Sequence, residues 1–260
     1  MLHYEIVSHR SDLPWLLCLH GAGGNTHTWK FQVPALASYY QLLLVDLRDH
    51  GLSRNQYSHS PNYSFQLIAE DVLEVVEHLG ISKLSTLSLS MGSMIAQQLV
   101  MLRPDLITYA IYAGGIFRVN IPIHLFAHSA RFLSLFLPYR WMYKIFSWLV
   151  MPLKNHQFAR RVYCKQAAYL SQSAFNNWTT LYRDFERTLK VFFQSKIEVP
   201  SLIIMGSQDY IFLKSAQQFA SKSLQRKLLI IENCGHICNI EAAETFNQLV
   251  LQYRNERLAN

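Results

Sequence analysis

One serine, one aspartate and one histidine, each placed just beyond a short apolar run, have the residue types for nucleophilic acyl chemistry. The serine is Ser90, in "KLSTLSLSMGSMIAQQL" (83–99), where strand-like alternation gives way to a helical pattern at Met-Gly-Ser. A serine on a sharp strand-to-helix turn stands clear of the sheet. There the helix N-terminus and the next backbone N–H face any negative charge that develops beside it. Such a turn needs small flanking residues, because strand and helix backbones approach closely. Gly92 meets that need two residues after Ser90. Ser88, two residues before, is still small, and its hydroxyl can hydrogen-bond locally.

A hydroxyl needs a base to take its proton, and the base needs a carboxylate to orient it. "IIMGSQDYIF" (203–212) places Asp209 just past one apolar strand pattern, and "IIENCGHICNIE" (230–241) places His236 just past the next. His236 stands out among eleven histidines by this position and because no later loop carries another. "LCLHGAGGNTHTW" (17–29) ends a further strand in His-Gly followed by small residues, so its backbone can approach a ligand. The N–H groups of Ala22 and Met91 are the candidate oxyanion donors, and Gly21 is a candidate substrate contact. Cys234, His236 and Cys238 alternate in a superficially metal-like way, but there is no second cysteine pair to complete a closed zinc site. "HGAGGN" lacks both the Lys-Ser/Thr of a phosphate-binding P-loop and the third glycine of a dinucleotide fingerprint. Neither a metal nor a cofactor is expected.

The elements that must position these residues follow from periodicity. "WLLCLHG" (15–21) and "QLLLVDLR" (41–48) are continuous apolar runs of strand length, which suits strands buried on both faces. "YSFQLIAEDVLEVVEHLGI" (63–81) is an amphipathic helix with Ser64 at its N-cap and Gly80 at its C-terminal end. Strand, helix and strand follow in "KLSTLSLS", "MGSMIAQQLVMLRP" and "LITYAIYAGG". After a break, "VPSLIIMGSQD", "RKLLIIENCGH" and the helix "IEAAETFNQLVLQYRNERL" restore the alternation. This rhythm predicts an α/β fold with a mostly parallel central sheet and helices on both faces. The expected domains are a core of residues 1–116 and 198–260, interrupted by a helical lid over 117–197 that is rich in Phe, Tyr and Trp.

The lid region also holds the charge asymmetry. From Leu106 to Arg183 there is no Asp or Glu but there are nine basic residues, whereas the rest of the chain carries 15 basic and 17 acidic residues. The excess behind the +7 net charge therefore lies in this one segment. Such asymmetry suits either a solvated basic surface or an anionic partner: an acidic acyl substrate, an acidic carrier protein or an anionic membrane surface. Arg118, Arg131 and Arg161 are candidate substrate-binding residues. No nucleic-acid recognition motif accompanies the charge, so nucleic acid is not expected as a partner. "FLSLFLPYRWMYKIFSWLVMPL" (132–153) is interrupted by Arg140, Lys144 and prolines, which argues against a membrane span of about 18 apolar residues. A lid that buries its aromatics against the core and lines an apolar pocket fits it better, with an interfacial helix that snorkels its basic residues as the alternative. Four cysteines are too few for a disulfide scaffold, and "MLHYEIVSHRSDLPW" carries no signal pattern, so a cytoplasmic location is expected.

Taken in order and spacing, "HGAGG" (20–24), "DLRDHGLS" (46–53), "SLSMGS" (88–93), "GSQD" (206–209) and "CGH" (234–236) resemble the α/β-hydrolase superfamily, in its lid-bearing esterase, lactonase and thioesterase type. The resemblance covers about residues 1–116 and 198–258 and departs from the family pattern at Ser88 and Asp49, both usual glycine sites. It implies that Ser90 is the nucleophile, His236 the general base and then acid, and Asp209 its orienting partner. The leading expectation is a serine hydrolase of carboxylic esters or thioesters with an apolar acyl pocket. Two alternatives stay open. One is carbon–carbon cleavage, lactone opening or elimination on a carboxylate substrate with the same three residues; the other is a non-catalytic ligand-binding or interaction protein.

Overall fold

In a computed structural model, residues 1–8, 10–54, 63–118, 124, 129, 132–133 and 136–259 are described, with Tyr182 and Arg183 described in their backbone only. Seven strands, β1 (Tyr4–Val7), β2 (Trp15–Leu19), β3 (Gln41–Val45), β4 (Leu84–Leu89), β5 (Ile107–Ala113), β6 (Ser201–Gly206) and β7 (Arg226–Ile231), form one sheet. Their order is β1-β3-β2-β4-β5-β6-β7. Each described pairing is parallel except β1 with β3, which is antiparallel. Every residue of β4 and β6 is buried, as expected of strands covered on both faces. The outer strands β1 and β7 are mostly half-buried. β1 has no counterpart in the sequence expectations, because four residues bonded along one side carry too little apolar periodicity to announce a strand.

Helices α1 (Val33–Leu36), α2 (Phe65–His78), α3 (Gly92–Leu102), α8 (Leu213–Ala220), α9 (Cys238–Glu241) and α10 (Ala243–Leu258) connect and cover the strands. Four more, α4 (Tyr139–Val150), α5 (Gln157–Ala167), α6 (Gln172–Thr180) and α7 (Tyr182–Gln194), lie between β5 and β6 in sequence although those strands pair directly. α2 starts where expected: the Ser64 hydroxyl accepts the Leu67 N–H at 3.0 Å, and Gly80 ends the helix at a φ of +64°. The single closing helix expected from Ile240 onward is instead two helices broken at Ala242, whose φ of −133° is not helical. That break leaves the Glu241 carboxylate free to turn back toward the Gly235 N–H.

One contiguous core surrounds the sheet, with Trp29, Tyr40, Phe65, Tyr112, Phe117 and Phe246 among its fully buried side chains. A smaller cluster, including Met142, Tyr143, Ala167 and Phe175, belongs to the inserted helices. Among the described residues no helix is long and apolar enough to cross a membrane.

Candidate active site

Ser90 occupies the turn between β4 and α3 at a φ of +50°, a left-handed conformation that costs a non-glycine residue about 1–2 kcal/mol. Neighbouring backbone holds it there: its N–H donates to the Ala113 carbonyl at 2.9 Å, and its carbonyl accepts the Ser93 N–H at 2.8 Å. The expected close approach is real at Gly92, where a Cβ would sit 2.4 Å from the Leu19 carbonyl oxygen and 2.5 Å from that of His20. Ser88 is fully buried, and its hydroxyl donates to the Ile111 carbonyl on β5 at 3.1 Å. A serine is tolerated at this position because its polar group has a partner.

Asp209 follows β6, and His236 follows β7. The structure brings both to Ser90 at the carboxyl ends of the parallel strands, the edge at which such sheets hold ligands. His236 Nε2 lies 2.8 Å from Ser90 Oγ, and Nδ1 lies 2.7 Å from Asp209 Oδ2. The other Asp209 oxygen accepts the Phe212 N–H at 3.0 Å. A carboxylate at Nδ1 selects the tautomer with its proton there, leaving the Nε2 lone pair free to take the serine proton. His236 and Asp209 are almost wholly buried, so solvent competes little for these bonds.

The loop after β2 is held by two further histidines. His50 Nε2 accepts the Gly23 N–H, and His20 Nε2 accepts the Leu47 N–H, each at 3.0 Å. Their Nδ1–H groups donate to the Arg48 and Gly21 carbonyls at 2.9 and 2.8 Å. Both rings must be neutral to bond in this way. Burial pushes His20 down to about 4 and His50 down to about 3, with the neighbouring His20 ring adding to the effect on His50. A Gly24 N–H to Gly21 carbonyl bond of 3.0 Å closes the turn around Ala22. The sequence reading assigned neither histidine a role, although His20 stands in "HGAGG" and His50 in "DLRDHGLS". Asp49 adopts a φ of +62°, and its carboxylate accepts the Tyr63 hydroxyl. It serves the turn where glycine is usual.

A cavity of about 30 Å³ opens over Ser90 and His236, bounded by Gly21, Ala22 and the inserted-helix residues Phe146, Val150, Tyr163 and Gln166. A neighbouring one of about 150 Å³ shares Ala22, Phe146 and Tyr163 with it and adds Met91, Tyr143, Phe175 and Trp178. The Gly21, Ala22 and Met91 candidates are thus all beside the Ser90 turn. Two of the three arginine candidates are not. Arg118 is exposed in a separate cleft with Glu186 and Phe193, and Arg161 is exposed on α5. Arg131 lies outside the described residues. Among the described residues no Lys or Arg lines either cavity, so Arg118 and Arg161 stand apart from both. The aromatic character of the lid predicts an apolar pocket, but which aromatics line it is not legible in sequence, because a Phe or Tyr in a helical pattern reads equally as core.

Behind the two loops lies a polar layer that spacing did not reveal. Gln208 Oε1 accepts from Asn155 Nδ2 at 2.7 Å and lies 2.9 Å from His156 Nε2. Asn155 Nδ2 also donates to the Asn233 carbonyl at 3.0 Å. Glu241 accepts the Gly235 N–H at 2.8 Å and lies 3.8 Å from His156 Nε2. Burial raises the Glu241 carboxyl, partly offset by that N–H bond and by His156. The four cysteines are free thiols, and burial pushes Cys234 up to about 12. Among the described residues no three His, Cys, Asp or Glu side chains are grouped to hold a metal ion.

The sequence and the fold are similar to those of known hydrolases. The Haemophilus influenzae protein named "Putative esterase/lipase" is 32% identical over 52% of this chain, a stretch that spans 46% of that protein. The Stutzerimonas stutzeri "Putative carbamate hydrolase RutD" is 24% identical over 98% of this chain and 97% of its own length. An esterase from Exiguobacterium antarcticum has the same fold, with a TM-score of 0.83 at 19% identity, over 97% of this chain and 94% of that one. The pattern that describes the alpha/beta hydrolase family matches residues 16–249, and the chain therefore belongs to that family.

Proposed function

We propose that the protein is a serine hydrolase that cleaves esters or thioesters of small, uncharged acyl groups. The observation that carries this reading is the hydrogen-bonded series Ser90–His236–Asp209, at 2.8 and 2.7 Å, opening onto an apolar space. His236 Nε2 takes the Ser90 proton as Oγ attacks the acyl carbonyl, and Asp209 stabilises the imidazolium that forms. The N–H groups of Ala22 and Met91 receive the oxyanion; each such donor is worth roughly 3–4 kcal/mol to the transition state. Collapse expels the alcohol or thiol, which His236 protonates. Water activated by the same ring then releases the acid and restores the Ser90 hydroxyl. The small space beside Ser90 and the absence of Lys and Arg among its described lining residues favour a short neutral acyl group over a carboxylate. The inserted helices act as a lid that keeps water from the acyl-enzyme.

The full-length likeness to a carbamate hydrolase supports one variant of this reading, in which the carbonyl attacked is that of a carbamate. The same nucleophile and base serve both. The test is turnover of p-nitrophenyl acyl esters of graded length, their carboxylate-bearing (hemisuccinate and hemiglutarate) counterparts, acetyl thioesters and aryl carbamates by the parent and Ser90→Ala, with fluorophosphonate labelling of each. The expected result is labelling and turnover by the parent only, greatest for the shortest chains, with a loss in Ser90→Ala of roughly 10³-fold or more. Equal turnover by Ser90→Ala would overturn the assignment. Preference for carboxylate-bearing substrates over neutral ones would overturn the substrate class.

A further inference from the structure

Helix α4 is apolar on two sides. Its inner residues Met142, Tyr143, Phe146 and Val150 line the cavities beside Ser90. Its outer side exposes Trp141 by 55%, Trp148 by 52% and Ile145 by 43%, interleaved with the exposed Arg140 and Lys144. At 100° per residue these five positions fall within one stripe, with the two tryptophans at its centre. Lys144 Nζ lies 5.0 Å from the centre of the Trp141 ring and Arg160 Cζ 3.9 Å from that of Trp148, so cations sit against both indoles. A helix that only shields a cavity from water normally turns polar residues of both signs outward. This one turns out only apolar side chains and positive charge, in a segment without Asp or Glu from Leu106 to Arg183.

We propose that the outer face of α4 docks on an anionic lipid surface. Indole rings favour the boundary between headgroups and acyl chains, and arginine and lysine extend alongside them to anionic headgroups. The helix has twelve residues, too short for the roughly 30 Å of a bilayer core, so it lies in the surface rather than crossing it. A second copy of the chain fits this face poorly, since two-fold pairing brings Arg140 and Lys144 toward their own counterparts with no acid in the segment to neutralise them. Docking here holds the space above Ser90 about one helix diameter, ~10 Å, from the membrane boundary.

The experiment is co-sedimentation of the full chain with vesicles of phosphatidylcholine alone and of phosphatidylcholine with roughly one-third phosphatidylglycerol. Expected are binding to the anionic vesicles only, a blue shift of tryptophan emission, and release at about 0.5 M NaCl. The double variant Trp141→Ser/Trp148→Ser and the double variant Arg140→Glu/Lys144→Glu should each bind about tenfold or more weakly while keeping the parent's melting temperature. Ser90→Ala should bind like the parent, so the result does not depend on the proposed reaction. No binding to anionic vesicles, equal binding to neutral ones, or full binding by the tryptophan variant would overturn the proposal. So would a dimer in light scattering that the tryptophan variant abolishes without any vesicle binding.

Discussion

In the proposed reaction Ser90 works beside a loop whose shape depends on side chains held in one protonation state. His50 and His20 illustrate this away from the reacting atoms: each ring accepts a backbone N–H through Nε2 and so must stay neutral. Their native-state values, about 3 and about 4, lie below that of an unfolded histidine near 6.5. The unfolded chain therefore binds more protons as pH falls, and these rings make stability drop from about pH 6.5 down toward 4, with no such loss above pH 6.5. The raised carboxyls of Asp46 and Glu241 act in the opposite direction over the acidic range, so the contribution of one ring is best read by difference. In melting curves between pH 4 and 8, His50→Gln should be less stable than the parent at neutral pH and lose less on acidification. Parallel profiles for the two proteins would show that the ring is not held neutral by the fold.

At the scale of elements, the turn between β4 and α3 explains which small residues are required and which are merely small. A Cβ at Gly92 meets two carbonyl oxygens at 2.5 Å or less, and backbone cannot move aside as a flexible side chain can. Gly92→Ala should cost roughly 2 kcal/mol or more in denaturant unfolding and reduce turnover along with it. Ser88→Gly should cost only about 1 kcal/mol through the lost bond to Ile111 and the freer unfolded chain, and turnover should survive. A larger loss of activity in Ser88→Gly would mean that the serine does more than fill a packing site. Helix α4 sets the other wall. Removing the Phe146 ring joins and enlarges the two cavities, so Phe146→Ala should move the preferred acyl chain to longer lengths in the p-nitrophenyl series, at about 1–3 kcal/mol of stability. An unchanged chain-length profile would place the acyl group elsewhere.

Across the whole molecule, the inserted helices and the core meet through bonds widely separated in sequence. Trp178 Nε1 donates to the Arg48 carbonyl at 3.0 Å, and the Asp184 carboxylate accepts the Phe65 N–H at 3.0 Å. Arg48 is in turn tied to Asp71 by two buried bonds of 2.6 and 2.7 Å. On the His236 side, Gln208 bonds the start of α5 while adjoining Asp209 in the chain. Gln208→Ala should hasten hydrogen exchange at residues 155–159 and 233–236 while leaving β4 and β5 protected. Unchanged exchange in both segments would show that packing alone seats the inserted helices.

The residue types and their local periodicity were sufficient to specify much of this protein. The alternation of apolar runs and amphipathic helices, the N-cap at Ser64, the turn at Ser90 and the positions of Asp209 and His236 all follow from short-range chemistry, in which a residue's neighbours along the chain set its backbone. That three loops 119 and 27 residues apart in sequence bring Ser90, Asp209 and His236 within bonding distance was readable because parallel strands deliver their carboxyl ends to one edge. Other features were decided by contacts between distant segments. The edge strand β1 exists by pairing with β3, and the break at Ala242 turns Glu241 toward Gly235. The neutral histidines behind Ala22 and the outward turn of Arg118 and Arg161 depend on what packs against them. Charge counting located the basic segment but not its direction, because a helix presents its charged side chains to whichever face packing leaves open.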